Sequence, residues 1–204
     1  MWKKYEVELK FTTPFASSTP KNSKDIALML EARMPNKLPE NAIPLDELAE
    51  QVKEEVGATE EVERGYATFE RDDKGLYYEA RCVRAHIKDC ANVLQGFQEI
   101  KALKSKVANR VYVSPAKIYL GKQKPDGNET RIIHAMTMKG PRSSLKIIDY
   151  VTDATLRFNL SILDDGIITR EILEAIFKYG GVHGMGQERS QDWGKYELIK
   201  LKEV

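Results

Sequence analysis

From Tyr5 to Phe11 apolar and charged residues alternate: Tyr5, Val7, Leu9 and Phe11 stand against Lys4, Glu6, Glu8 and Lys10. A period of two predicts a strand with one buried face. Thr13-Pro14 and Thr19-Pro20 interrupt it. Ile26, Met29, Leu30 and Arg33 then fall at helical spacing, with Asn22 or Ser23 as N-cap. Pro35, Pro39 and Pro44 follow, and a second amphipathic helix is expected through Leu45, Leu48, Ala49, Val52 and Val56, ended by Gly57. Residues 65–70 and 76–83 read as strands joined by the hairpin signal Asp72-Asp73-Lys74-Gly75. Ile87, Cys90, Ala91, Leu94 and Phe97 share one helical stripe. Strands are expected over 111–120, 131–138, 145–151 and 155–163; in the last, Leu156, Phe158, Leu160 and Ile162 alternate with Thr155, Arg157, Asn159 and Ser161. Thr169 caps a short helix with Ile172, Leu173, Ile176 and Phe177 inward. A glycine-rich loop over 180–194 leads into a last strand, 195–201.

This alternation of strands and helices, with hairpins among them, predicts an α+β fold with a mostly antiparallel sheet, and a ferredoxin-like (RRM-like) core is the economical arrangement. Residues 1–204 are expected to form one domain, with 21–63 as a helical insertion, because a segment that short makes a poor core of its own. The chain has 204 residues, 42% of them apolar, which suits a packed core and excludes a disordered chain. Its longest apolar stretches fall far short of the roughly 20 residues a membrane span needs, so no membrane partner is expected. Met1-Trp2-Lys3-Lys4-Tyr5 runs straight into the first strand, so no signal peptide is expected. Cys82 and Cys90 alone build neither a disulfide scaffold nor a zinc site. A reduced, cytoplasmic setting follows.

The net charge of +1 looks unfavourable for a polyanionic partner, but it is unevenly spread. Between Glu40 and Glu63 nine acids face the single base Lys53, eight net negative charges. The rest of the chain therefore carries nine net positive charges. The acidic helix 45–56 either presents a solvated face or covers a basic surface on its own body or on a neighbouring subunit, as a strand of nucleic acid would.

The most informative stretch runs from Gly180-Gly181-Val182-His183-Gly184-Met185-Gly186 through Gln187, Glu188, Arg189, Ser190, Gln191 and Asp192 to Trp193-Gly194-Lys195-Tyr196. Glycines allow positive φ and close backbone approach, and exposed amides can face phosphates. Gln187, Arg189, Ser190 and Lys195 add donors, and Trp193 adds a stacking surface. The bland alternative is a connector over a buried Trp193. A Walker loop is excluded by the missing Gly-Lys-Ser/Thr ending, and a dinucleotide fingerprint by the order helix, loop, strand. Arg81, Arg84, Lys88, Arg110, Arg131, Lys139, Arg142, Lys146, Arg189 and Lys195 lie at element ends or in loops, where they can contact phosphates without reading sequence. Tyr112 and Tyr150 join Trp193 as candidate base platforms.

Gly184-Met185-Gly186, Arg189-Ser190 and Trp193-Gly194-Lys195-Tyr196 resemble the C-terminal glycine-rich loop of the RAMP superfamily, the ferredoxin-like, RRM-related RNA-binding subunits of CRISPR effector complexes. Thr13-Pro14-Phe15 resembles the proline after that family's first strand. Arg84-Ala85-His86-Ile87-Lys88-Asp89 sits where backbone-type members begin a helix with serine-leucine-lysine-glycine. Thr19-Pro20, Ile87-Lys88-Asp89, Gly140-Pro141-Arg142-Ser143-Ser144-Leu145 and Gly184-Met185-Gly186-Gln187-Glu188-Arg189 resemble a group of phage and prophage proteins of about this length. Two departures stand out: Asp192-Trp193-Gly194 replaces the family's second glycine pair, and Arg-Ala-His-Ile-Lys replaces its helix start.

The resemblance implies a non-catalytic protein that binds RNA or single-stranded DNA in the cytoplasm of a bacterial or phage-infected cell, as a homo-oligomer or with effector subunits. It places nucleic-acid binding on Arg84, Lys88, Arg142, Lys146, Gln187, Arg189, Ser190, Trp193 and Lys195, with backbone contacts on Lys88, Arg142, Gln187 and Arg189 and with Gly184 and Gly186 shaping the loop. Two other functions stay open. One is a metal-independent endoribonuclease using His183 or His134 as acid or base. The other is an interaction module that mimics or blocks an effector subunit. Asp72-Asp73 and Asp164-Asp165 read as turn and capping residues, and Ser143, Ser144 and Ser190 have no visible base. No metal or cofactor is expected.

Overall fold

Alternation at the start of the chain produces β1 (Trp2–Phe11), whose Tyr5, Val7, Leu9 and Phe11 are buried. A computed structural model describes residues 1–20, 64–96, 100–137 and 140–204, with Glu47, Glu50 and Gln51. Beyond β1 the elements are β2 (Thr19–Pro20), β3 (Arg64–Thr68), β4 (Glu70–Asp72), β5 (Gly75–Glu79), α1 (Ala80–Leu94), α2 (Leu103–Arg110) and β6 (Val111–Ser114). Then come β7 (Lys117–Tyr119), β8 (Gly127–Thr137), β9 (Gly140–Tyr150), β10 (Thr155–Leu163), α3 (Arg170–His183), a 3-10 turn (Arg189–Gln191) and β11 (Tyr196–Glu203).

One sheet has the order β11-β1-β10-β6, with every neighbour antiparallel. In chain order β1, α1, β6, β10, α3 and β11 give strand-helix-strand-strand-helix-strand, with the fourth strand beside the first and the third between first and second. That is the ferredoxin-like arrangement, and the α+β expectation holds. The core lies between this sheet and the helices: Leu9, Leu156, Leu160 and Val111 from the strands meet Val83, Ile87, Leu173 and Phe177 from α1 and α3, all buried. Each such side chain contributes about 2 kcal/mol by leaving water. No helix among the described residues is long and apolar enough to cross a membrane.

Two further sheets grow from the stretches between β1 and α1 and between β6 and β10. One has the order β2-β3-β9-β8, in which β3 runs parallel to β9 and β8 and β9 form a long hairpin. The other is β4-β5-β7. The exit of β1, the start of α1, the end of α3 and the start of β11 all meet at one end of the main sheet. Thr12 N donates to Lys195 O at 2.9 Å there, and Phe15 bridges to Val151.

Three expectations are corrected. The strand expected over 76–83 ends at Glu79, because Ala80, Val83, Ile87, Cys90 and Ala91 bury one helical face from Ala80 onward. The strand expected over 111–120 is two short strands that join different sheets. Gly180 and Gly181, expected in the loop, lie in α3, which runs on to His183. They let that helix press against β11, since a Cβ on Gly181 would overlap the Tyr196 carbonyl oxygen. The helices expected within 21–63 and the stripe position Phe97 lie outside the described residues, apart from Glu47, Glu50 and Gln51, which are helical and exposed.

Candidate nucleic-acid interface

The loop joining α3 to β11 is a braced structure. Gly184, Gly186 and Gly194 have φ of 82°, 87° and 73°, and Glu188 and Asp192 also take left-handed conformations. Met185 is fully buried between them. Met185 N donates to Gly194 O at 2.8 Å, Gly194 N to Pro14 O at 2.7 Å, and Gln187 N to Ala16 O at 3.0 Å. Lys195 N donates to Thr13 Oγ1 at 2.9 Å. A Cβ on Gly186 would overlap the Ala16 carbonyl oxygen and lie 2.9 Å from the Phe15 ring. The glycines thus seat the loop on residues 13–16 rather than opening it. Most of its amides are consumed in this way. Those of Gly186, Glu188, Arg189 and Ser190 make no hydrogen bond among the described residues.

Two of these four residues, Gly186 and Arg189, line an open cleft of about 380 Å³, together with Tyr78, Cys82, Ala85, His86 and Asp89. Arg189 Nη1 donates to Asp89 Oδ2 at 2.9 Å and to His183 Nε2 at 2.7 Å. An arginine only donates, so that imidazole nitrogen is the acceptor. His183 Nε2 is 3.3 Å from the same carboxylate oxygen, and the Tyr179 ring stacks on the imidazole at 5.4 Å. The Arg189 hydrogen bond, above all, holds the Asp89 carboxyl below its ordinary range against the opposing effect of burial. Beneath this cluster His86 is buried, with Nε2 2.9 Å from the Tyr196 hydroxyl. Burial, helped by His183 and Arg189, pushes the His86 imidazole down to about 3. Burial likewise pushes the neighbouring Cys90 thiol up to about 12.

The remaining expected residues are scattered around this cleft. Lys146 donates to Glu188 Oε1 at 2.8 Å, and Arg131 to Glu188 Oε2 at 3.4 Å, tying the hairpin's root to the loop. Trp193, expected to stack bases, is only 7% exposed. Arg131 covers its ring at 4.8 Å and Tyr150 meets it edge-on at 5.4 Å, so in this conformation it offers no free face. Lys195 Nζ pairs with Asp192 at 2.7 Å. Arg84 reaches away from the cleft to the Ala108 carbonyl and lies over Tyr112. Lys88 is half-buried on α1, and Ser190 is exposed in the 3-10 turn. Gln187 has a buried Oε1 without a partner among the described residues. Arg81 pairs with Glu79, and Arg110 with Asp165 at 2.6 Å. Lys139 and the side chains of His134, Arg142, Ser143 and Ser144 lie outside what the structure describes.

The cleft therefore gathers Gly186 and Arg189 from the expected set, with Gly184, Ser190 and His183 next to them. Sequence reasoning missed Asp89, His86 and the cleft floor of Tyr78 and Cys82. The spacing of His86, Asp89 and Cys90 at i, i+3 and i+4 was the available signal, since it puts all three on one side of α1.

No family model matches the sequence, and no curated protein does. Among solved structures, a chain from the cryo-EM structure of Type III-B Cmr-beta bound to cognate target RNA aligns with all of this chain at 12% identity and a TM-score of 0.48. The alignment covers 61% of that chain, so this protein spans about three-fifths of its length.

Proposed function

We propose that this protein is a non-catalytic, RAMP-like binder of RNA or single-stranded DNA, and that the cleft beside the glycine-rich loop grips the phosphate backbone. One observation carries the reading: a rigidly seated loop lines an open cleft with Gly186 and Arg189, whose backbone amides make no hydrogen bond among the described residues, and Arg189 brings its guanidinium to the same cleft. Amide donors fixed in place with no partner among the described residues suit an anionic oxygen, and such contacts position a strand without reading its bases. The motif resemblance supports the same reading, and the ferredoxin-like strand order is the fold it implies. The proposal includes one domain over 1–204 with the acidic 21–63 as an insertion, assembly into oligomers or with effector subunits, a phage-type origin and a cytoplasmic setting.

A gel-shift titration with labelled single-stranded RNA and DNA tests it. Arg189→Ala should weaken binding about tenfold, the scale of one charge-assisted contact, and should lower the slope of affinity against salt by about one. Absence of a shift at low salt with every strand overturns the reading.

Asp89→Asn should act in the opposite direction. The Asp89–Arg189 pair is half exposed, with side-chain exposures of 49% and 39%, so its loss costs at most about 1 kcal/mol of stability. Removing the carboxylate leaves the guanidinium to the strand and should tighten binding a few-fold, with an almost unchanged melting temperature. Weaker binding would mean that Asp89 orients Arg189 productively instead.

A second reading has its own observation. His183 stands at the cleft's edge between a carboxylate and a guanidinium, an arrangement that metal-independent RNA cleavage can use. Cleavage in EDTA that disappears in His183→Ala would establish it, and intact RNA after prolonged incubation keeps the protein a binder. Binding to another protein, lost when the acids of 46–55 are neutralised and indifferent to nucleic acid, would point instead to the interaction module.

A further inference from the structure

Among the described residues the helices cover one face of the ferredoxin-like sheet. On the other, alternation puts Trp2, Lys4, Glu6 and Glu8 of β1 beside Arg157, Asn159 and Ser161 of β10 and Tyr112 of β6. Two large aromatics stand exposed on this polar face, Trp2 at 47% and Tyr112 at 43%. Their rings meet edge-on, 5.6 Å apart at 73°. The register places Lys4 opposite Ser161 and Ser161 opposite Tyr112, so a cation, a hydroxyl and an aromatic ring form one row across three strands. Lys4 has no acidic partner among the described residues. Arg84 of α1 adds a second cation and covers one side of the Tyr112 ring, with Cζ 4.5 Å from its centre, but unlike the buried Trp193 this ring stays largely open to solvent. A groove of about 310 Å³ continues the same face between Pro115, Arg157, Asn159 and Lys200, where Arg157 pairs with Glu8 and Lys200 with Glu6.

We propose that this uncovered sheet face is a second contact surface for single-stranded nucleic acid, with Trp2 and Tyr112 as the base platform and Lys4 and Arg84 as phosphate partners. The proposal rests on the nucleic-acid reading above but uses different residues and different chemistry. Exposed rings set among cations on an antiparallel sheet suit bases held by stacking with phosphates alongside, a mode that tolerates any sequence. The charge around the aromatics is complementary to a polyanion, and the acids nearest the groove are already paired.

The chain's two tryptophans separate the signals, because Trp2 is exposed and Trp193 is buried beneath Arg131. The test titrates the full chain with a short single-stranded oligonucleotide and with an abasic strand of equal length. The base-bearing strand should quench the tryptophan fluorescence of the wild type. Trp2→Phe should keep the affinity and lose the quenching. Trp2→Ala and Tyr112→Ala should each weaken the base-bearing strand about tenfold and leave the abasic strand unchanged. Both residues are exposed, so a melting temperature within a few degrees of wild type confirms intact folding. The idea is overturned if Trp2→Ala and Tyr112→Ala bind the base-bearing strand as the wild type does, or weaken both strands equally. It is also overturned if they abolish only concentration-dependent self-association, which would make the patch a contact between copies. Arg189→Ala, by contrast, should weaken both strands alike. The cleft and the sheet face can therefore fail independently, and loss of both together requires that no strand bind at all.

Discussion

Gly194→Ala is expected to destabilise the protein by about 3 kcal/mol or more and to lower its melting temperature by roughly 6–12 °C. Two effects add. The backbone at Gly194 has φ of 73°, a left-handed conformation that costs an L-residue about 1–2 kcal/mol. The new Cβ would also overlap the Met185 carbonyl oxygen and lie 2.8 Å from the Met185 nitrogen. The obstacle is backbone, so no side chain can rotate away. The shift that relieves it would stretch the bond from Met185 N to Gly194 O, and that from Gly194 N to Pro14 O. The first closes the loop on itself, and the second holds it to the chain just after β1. Gly166→Ala provides the control: its φ is 74° but nothing lies within 4 Å of its Cβ position, so only the conformational cost of about 1–2 kcal/mol remains. Thermal melts of the two variants separate close approach from backbone preference. Equal losses would mean that Met185 relaxes freely and that the loop is less tightly seated than its hydrogen bonds indicate. The same variant should lose nucleic-acid affinity, because the amides near Arg189 are positioned by this seat.

The framework was legible wherever one physical period dominated. The sequence reading of β1 and β10 held because each buries every second residue against the same core. The start of α1 was misread because Leu76 to Val83 satisfies two periods at once. Tyr77, Tyr78 and Glu79 pair as a strand, while the stripe through Ala80, Val83 and Ile87 claims the rest for a helix. Gly180 and Gly181 were read as loop because each glycine costs a helix about 1 kcal/mol. Contact with Tyr196 reverses that preference, and such contact leaves no mark in local sequence. The candidate site divides in the same way. Gly184, Gly186 and Arg189 stood out as a cluster because they are neighbours in the chain. Their partners did not: Asp89 meets Arg189 across 100 residues, and Lys146 meets Glu188 across 42. Which acid answers which base is decided by topology, so a count of basic residues overstates the charge left for a ligand. Trp193 shows the same limit, since the arginine that covers it comes from β8.

Stability should fall with acidity through His86 as the pH drops below about 6.5. The ring is buried, hydrogen-bonded to Tyr196, and 3.6 Å from the Cys90 sulfur. Its folded-state pKa is held down to about 3 from an ordinary value of 6.5, by burial first and then by the neighbouring His183 and Arg189. Between those values the unfolded chain binds a proton that the folded chain refuses, so stability rises with pH and is lost as pH falls. The slope is about 1.4 kcal/mol per pH unit, or roughly 2 kcal/mol between pH 6.5 and 5. Asp89 works lower on the scale. Its carboxyl is depressed below 3.8, so its contribution persists through this window and is lost only in stronger acid. Urea unfolding at a series of pH values should therefore show a falling midpoint for the wild type and a much flatter one for His86→Gln, which retains a polar partner for Tyr196 but cannot titrate. Identical slopes in both proteins would remove His86 as the cause. The comparison is of slopes, because the substitution lowers stability at every pH by repacking the contact between α1 and α3, and that constant loss cancels. Above pH 7 the imidazole is neutral in both states and the offset between the curves should stop changing. A plateau there, with divergence below it, is the signature of one buried base held between the helices under the candidate site.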